Sequence, residues 1–375
     1  MVNHLGNWKN GELGDFVTLK RGFDLPQQKR EDGQVPIFSS SGITGTHSTA
    51  MVKAPGVITG RYGTIGEVFY AAKDFWPLNT TLFVEDFHGN DAKFIYYFLK
   101  TLEWSKFTSA SAVPGINRNT VHKEIVSLPD IETQRRIAST LSMFDEKIKI
   151  NTEINDNLEQ QAHSYFQELF VDNASPEWTT GTISDLGTVV GGSTPSKAKP
   201  EYYTESGIAW ITPKDLSINK SKFISHGEND ITELGLKNSS AAIMPEGTVL
   251  FSSRAPIGYI AIAAGEVTTN QGFKSVVPKP EIGTPFVYFF LKNTLPVIEG
   301  MASGSTFKEV SGSTMKNVPA VIPDAEILAK FSDFCAPIFA QQRTLEEQNQ
   351  SLAKLRDSLL PKLMSGEIDV SAVHL

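Results

Sequence analysis

The sequence predicts an α+β protein: two globular domains of mixed strand and helix character, separated by two long helices that pair antiparallel in the manner of a coiled coil. Three observations predict it. The chain repeats itself at a long period, each repeat closes on an unbroken apolar seam of helical spacing, and the remainder of each repeat consists of short strand-like runs between glycine and proline. At 375 residues the chain is too long for one ordinary core and suits two domains with connectors.

The repeat sets the order of elements. Trp8-x-x-Gly11-x-Leu13-x-Asp15 recurs as Trp178-x-x-Gly181-x-Ile183-x-Asp185, an offset of 170. Arg61-Tyr62-Gly63-Thr64-Ile65-Gly66 resembles Arg254-Ala255-Pro256-Ile257-Gly258. Phe94–Lys100 matches Phe286–Lys292 at an offset of 192, and Leu128-Pro129-Asp130 matches Ile322-Pro323-Asp324 at 194. The drift places insertions in the second half, in a stretch near 193–245 that reads as loop-rich. The expected boundaries are 1–129 for the first domain, 130–173 for the first long helix, 174–322 for the second domain and 323–375 for the second helix and tail.

Within the domains, Val52–Thr59, Glu67–Ala71 and Thr81–Val84 read as strands, as do Gly247–Ser252, Tyr259–Ala263 and Lys274–Val277. Ala92–Leu102 and Pro285–Asn293 read as short helices whose aromatic faces pack into the core. Beyond Pro129, residues Ile137, Leu141, Phe144, Ile148, Asn151, Asn155, Leu158, Ala162, Tyr165 and Leu169 step alternately by 4 and 3. The series from Phe331 through Cys335 and Gln342 to Leu363 repeats those steps 194 residues later. This is a heptad-like seam, expected over 132–170 and 326–365. Pro337 should kink the second helix or delay its start. Asn155 and Asn349 hold equivalent seam positions, and an antiparallel pairing predicts that they face each other near the middle and fix register, unless each merely leans to the surface. Cys335 lies on the seam and reads as a small core residue.

The formal net charge of -8 disfavours a free-standing DNA binder, because phosphate neutralisation supplies most such affinity. The acid is concentrated, however. Residues 1–129 carry net +1 and 174–322 net -1, whereas 130–173 carry -5 and 323–375 carry -3. Such a chain should bind DNA weakly alone and need a basic partner. A single cysteine excludes an internal disulfide or a cysteine-based zinc cluster. No run of apolar residues suits a membrane span, and the opening MVNHLGNWKNGELG lacks the layout of a signal peptide, so a cytoplasmic location is expected.

No constellation for catalysis emerges. The G-x-x-x-x-G-K-[ST] phosphate loop, the dinucleotide glycine fingerprint, H-E-x-x-H, G-x-S-x-G and the Asn-Pro-Pro signature of amino-methyltransferases are all missing. Asp215 is a lone acid of the kind that is ordinarily structural or solvated. The chain reads as a binding protein, with no metal site and no catalytic residue.

Several motifs then carry a resemblance over essentially the whole chain. Gly191-Gly192-Ser193-Thr194-Pro195-Ser196-Lys197-Ala198-Lys199-Pro200-Glu201-Tyr202-Tyr203, followed by Ile208–Asp215, resembles the start of a target-recognition domain in the specificity subunits of type I restriction-modification enzymes. Phe38–Gly45 followed by Gly60–Gly66 resembles another version of it. Pro129-Asp130-Ile131-Glu132-Thr133-Gln134-Arg135-Arg136-Ile137 resembles that family's helix start, and Leu359–Ile368 its tail. The second helix start, Pro323-Asp324-Ala325-Glu326-Ile327-Leu328-Ala329, departs from the pattern by lacking the Gln-Arg pair, which puts equal partner binding by the two helices in doubt. The resemblance implies sequence-specific recognition of a bipartite site in double-stranded DNA, with one half read by each domain and the helices acting as a ruler. It also implies docking of methylation subunits, two in number, and of restriction subunits. S-adenosylmethionine, ATP and Mg would be bound on those partners, with no cofactor on this chain. A coiled-coil scaffold without a DNA role and, more remotely, a self-contained methyltransferase are the alternatives.

DNA contacts are expected from polar loop residues, since Arg and Lys donate to guanine edges or phosphates and glycine-rich loops permit close approach. In the first domain the candidates are Lys20, Arg21, Arg61, Tyr62, Asn117 and Arg118. In the second they are Lys197, Lys199, Lys214, Ser253, Arg254 and Lys308. Arg61 and Arg254 stand out because they occupy equivalent places in the repeat; for any one of these residues the plainer reading is a solvated surface charge.

Overall fold

The computed structural model describes residues 8–108, 114–304 and 308–371. The first seven residues of the opening stretch MVNHLGNWKNGELG therefore lie outside the described residues. The chain divides into two compact units, Met1–Ile148 with Ser351–Leu375, and Lys149–Gln350. Each unit takes in part of both long helices.

In the first unit, strands Thr18–Arg21, Thr81–Asp86, Gly56–Gly60 and Val68–Ala71 form an antiparallel sheet in that spatial order. A smaller three-stranded sheet places Val35–Ser39 between Gly42–His47, antiparallel to it, and Trp76–Pro77, parallel to it. Helix Ala92–Lys100 begins at Asp91, whose side chain accepts the Phe94 N–H, and it buries Phe94, Ile95, Tyr97, Phe98 and Leu99. The core continues through Leu13, Leu19, Val57 and Leu82 to Ile137 and Leu141 of the first long helix and Leu363 and Met364 of the second.

The second unit repeats this plan. Gly187–Gly191, Lys274–Pro278, Val249–Ser253 and Ile257–Ala263 hold the same spatial order as the four strands of the first unit. A two-stranded ladder of Thr179–Thr182 with Pro319–Ile322 matches that of Lys9–Glu12 with Ile125–Leu128. A capping box follows each ladder's first strand, Glu12 with Asp15 and Thr182 with Asp185. Two expectations need correction. The stretch near 193–245 is not simply loop: it supplies helices Pro213–Ile218 and Glu233–Lys237, three strands of a second sheet, and Phe223–Ile224, a fifth strand on the edge of the main sheet. Helix Thr284–Gly300 is longer than expected and runs through Pro296.

The long helices span Ile131–Gln167, followed by one π-helical turn over Glu168–Asp172, and Ala325–Met364. Pro337 does not delay the second helix, which starts well before it and also contains Pro361. All the seam residues named above are buried or half-buried, and the free thiol of Cys335 is fully buried, which pushes its pKa up to about 12. The helices run antiparallel within each unit. In the first, Asp145 meets Arg356; in the second, Asn151 meets Asn349 while Ala162 and Phe166 join the core with Phe331 and Cys335.

The central register differs from expectation. Asn155 does not face Asn349. The Asn349 Oδ1 accepts from Asn151 Nδ2 at 2.9 Å, and Asn155 instead exchanges contacts with Gln342, whose Nε2 donates to the Asn155 carbonyl at 3.2 Å. Equivalent residues of an antiparallel pair meet only where the midpoint of the pairing coincides with them. Here the midpoint falls between the Asn151 and Asn155 layers, so the two equivalent asparagines lie on opposite sides of it.

The helix start explains the missing glutamine of the Gln-Arg pair. Asp130 caps the first long helix by accepting the Thr133 N–H at 3.0 Å. Gln134 is buried: its amide donates to Asn90 Oδ1 and the Pro129 carbonyl and accepts the Asp91 N–H, locking the helix to the loop before Ala92. At the equivalent place of the second helix stands Leu328, buried in an apolar core. The substitution replaces a polar lock by packing, so the glutamine acts inside its own unit.

Candidate nucleic-acid interface

All six first-domain candidates, scattered over about a hundred residues of sequence, line one open cleft of about 550 Å³. Lys20 and Arg21 come from the last residues of strand Thr18–Arg21, Arg61 and Tyr62 from the turn after Gly56–Gly60, and Asn117 and Arg118 from the start of helix Arg118–His122. The Arg61 and Tyr62 amides donate to the Thr80 carbonyl, and the Ile116 amide donates to the Arg61 carbonyl at 3.0 Å. Gly115 allows the closure, since a Cβ there would lie 2.1 Å from the Tyr62 ring. The Arg61 guanidinium sits 4.4 Å from the centre of that ring, a cation–π contact that orients it.

Electrostatics distinguish the cations of this cleft. Lys20 is paired with Glu85, and Arg21 reaches Asp24 at 3.7 Å. Among the described residues, Arg61 and Arg118 have no carboxylate within ion-pair distance. Asn117 caps its helix by accepting the Asn119 N–H, so part of its hydrogen-bonding capacity is structural. Behind it, His122 Nε2 accepts the Leu19 N–H at 2.9 Å and ties the helix to the strand that bears Lys20 and Arg21. Burial, followed by the charges of Arg118 and His88, lowers the His122 pKa and keeps that lone pair free to accept.

The second unit has its own open cleft, of about 690 Å³, lined by Lys197, Lys214 and Arg254 among the candidates. Arg254 follows Val249–Ser253 as Arg61 follows Gly56–Gly60. Lys199 pairs with Glu201 at 3.6 Å outside this lining, and Lys308 is exposed outside it too. Ser253 is a correction. It is fully buried at the end of a strand covered on both faces, and its hydroxyl donates to the Gly272 carbonyl at 3.1 Å, so it fixes the turn beneath the cleft instead of facing a ligand. Asp215 is structural as well. It accepts from the Thr212 amide and hydroxyl and from the Glu228 amide, and so sets Lys214 and Glu228 where they pair at 2.6 Å.

Sequence reading missed the aromatic wall of this cleft. Tyr203 and Trp210 meet edge to face at 5.7 Å, with the Trp210 indole donating to the Ser193 carbonyl. It also missed the Asn270-Gln271-Gly272 turn, a polar run between two strands whose composition was a usable signal. Among the described residues no group of histidine, cysteine and acidic side chains is arranged to hold a metal, and no helix is long and apolar enough to cross a membrane.

The model of the type I restriction modification DNA specificity domain matches residues 6–160 and again 176–353. The chain is 38% identical over 192 residues to the type I restriction enzyme MjaIX specificity subunit of Methanocaldococcus jannaschii, a match covering 51% of this chain and 44% of that protein. It is 24% identical over 347 residues to the HindI specificity subunit of Haemophilus influenzae, covering 72% of this chain and 75% of that one. The match thus spans less than half the length of the first relative and three quarters of the second. Among solved structures, the S subunit of the type I restriction-modification system from M. genitalium superposes with a TM-score of 0.63 at 19% identity over 97% of both chains, a likeness of fold.

Proposed function

The chain belongs to the type I restriction-modification DNA specificity family, and on that premise we propose that each of its two clefts reads one half of a split duplex site. The observation that carries this reading is convergence. Three separated segments deliver Arg61, Arg118 and their neighbours to one concave face, and the repeat delivers Arg254 to the corresponding turn of the other unit. Arginine on such a turn is suited to bidentate donation to a guanine edge, with lysines supplying phosphate contacts. The boundaries proposed are residues 1–129 and 174–322 for the two readers. The long helices, about 55–60 Å each at 1.5 Å per residue, are the element that sets the unread spacer.

The proposed partners follow from charge. The helical segments carry most of the net acid, so their outward faces suit basic protein surfaces and not phosphate. Methylation subunits, two of them, and restriction subunits are the partners of this reading, and they bring S-adenosylmethionine, ATP and Mg.

The test is the pattern of methylated sites in a host carrying the full system. Arg61→Ala should relax or abolish recognition of one half-site and leave the other unchanged, and Arg254→Ala should do the converse, each at about 1–3 kcal/mol of discrimination. If neither substitution alters the methylated sequence while the complex still assembles, the clefts are not the readers.

A further inference from the structure

The two equivalent arginines differ in one respect. Arg61 rests on Tyr62 with no carboxylate nearby among the described residues, whereas Arg254 shares one. Glu309 points its Oε2 at the Arg254 Nη1, 3.5 Å away, and its Oε1 at the Lys274 Nζ, 3.7 Å away. Its position is fixed by backbone: the Glu309 amide donates to the Ser303 carbonyl at 2.9 Å, the Glu309 carbonyl accepts the Ser303 amide in return, and the next amide, Val310, donates to the Ser253 carbonyl. Counted back from the helix caps Asn117 and Ser311, Ile116 of the first unit corresponds to Val310 and Gly115 to Glu309, so a glycine stands where the second unit has the acid.

We infer that Glu309 is a specificity-determining residue of the second cleft, holding Arg254 away from sequence-blind phosphate contacts while leaving it available to a base edge. The inference rests on the reading of that cleft as a DNA reader. Both ion-pair distances exceed those of a tight charge-assisted hydrogen bond, about 2.7–2.9 Å. The carboxylate therefore acts mainly through its field, and the guanidinium is free to turn. A phosphate approaching Arg254 meets the negative charge of Glu309 and a cation already partly neutralised. A base edge carries no net charge, so the same carboxylate opposes it far less than it opposes a phosphate. A carboxylate beside an arginine also offers an acceptor for a cytosine amino group next to the donor that suits guanine. The penalty thus falls on backbone contacts and spares base contacts. Lys274 is mostly buried and donates to the Gln271 carbonyl, which leaves Arg254 as the more exposed of the two cations.

The experiment uses the full chain and a short mixed-sequence duplex, with affinity measured across about 50–200 mM salt. Glu309→Gln should raise affinity several-fold at the low end and steepen the slope of log affinity against log salt by about one, the signature of one added phosphate contact. Glu309→Asp, which keeps the charge, should stay near the parent chain. Adding Arg254→Ala to Glu309→Gln should return the slope to its original value. Unchanged affinity and slope in Glu309→Gln overturn the inference, as does a gain that persists without Arg254, because the effect would then be one of net charge. Arg254→Ala alone, scored on the methylated sequence, separates the two levels. If it changes one half-site while Glu309→Gln changes nothing, only the role of Glu309 falls. If it changes nothing, the reading of the cleft falls and this inference with it.

Discussion

The two units grip their stretches of the helix pair with the same kind of device at different depths. In the first, Asp145 of the first long helix accepts from the Tyr97 hydroxyl and from Arg356 of the second, and both charged side chains remain about a quarter exposed. In the second, Glu159 of the first long helix takes Lys222 at 2.8 Å and Lys292 at 2.5 Å, with Tyr288 donating at 3.1 Å. The Lys222 side chain is only 6% exposed, packed over Phe339 and bonded also to Gln342. The difference comes from the insertion. Lys222 precedes the extra edge strand Phe223–Ile224, and Glu346 of the second long helix accepts the amides of both Lys222 and Phe223. The inserted segment therefore does more than add strands to a sheet. It carries a buried charge to the helices, where a shallow pair would otherwise have sufficed.

The charges in the deeper site pull in opposite directions. Burial drives the Lys222 pKa down to about 8 despite the attraction of Glu159. Burial alone would raise Glu159, but the two ammonium groups and their hydrogen bonds outweigh it and hold that carboxyl at about 2. Two cations share one anion, and at neutral pH the site is charged on both sides. Desolvated pairs of this kind contribute little net stability when intact but are costly to break.

That contrast orders the expected effects. The largest should come from Lys222→Ala, which removes the buried ammonium and leaves the Gln342 Oε1 and part of Glu159 without a partner: a loss of about 3–5 kcal/mol in urea unfolding followed by tryptophan fluorescence. Lys222→Met, which keeps most of the stem, should cost less. Asp145→Asn in the shallower site should cost about 1–2 kcal/mol, in keeping with loss of a partly exposed charge-assisted bond. If the two sites prove equally sensitive, the distinction in depth has no energetic meaning. The smallest effect should be that of His122. Its folded pKa is lowered, so its contribution is present above the ordinary histidine range and lost as pH falls through that range toward the folded value. The bond accepted from the Leu19 amide requires the neutral ring. A stability–pH profile of His122→Gln should lack this acid-side decline, whereas the parent chain should show it; identical profiles would remove the linkage.

How much of this was legible in the sequence depends on the range of the interaction. The long helices were readable because the heptad seam is local, and Ile137, Leu141, Phe331 and Cys335 all point inward as the spacing required. The repeat carried the strand order from one unit to the other. The inserted strands were not readable, because runs of two to four residues show no period. The pairing of Asn349 with Asn151 was also hidden, since a seam fixes which residues face inward but not where an antiparallel partner begins. Ser253 misled through its neighbour: position beside Arg254 suggested exposure, yet a strand end covered on both faces offers none. In the clefts, sequence could nominate arginines by repeat position, but Glu309 and the Tyr203–Trp210 wall gain meaning only from folding.

The close approach at Gly115 has a bearing on how such a protein changes over generations. The glycine and the Leu19–His122 bond hold the shape of the first cleft, while Arg61, Arg118 and Arg21 project from it. A substitution at Gly115 collides with Tyr62 and disturbs the frame, so most variants there should be purged. Substitutions at the projecting positions leave the frame intact and alter only what it presents. Constraint and novelty are thereby assigned to different codons, and the face the cleft presents can change by single steps while its frame is kept.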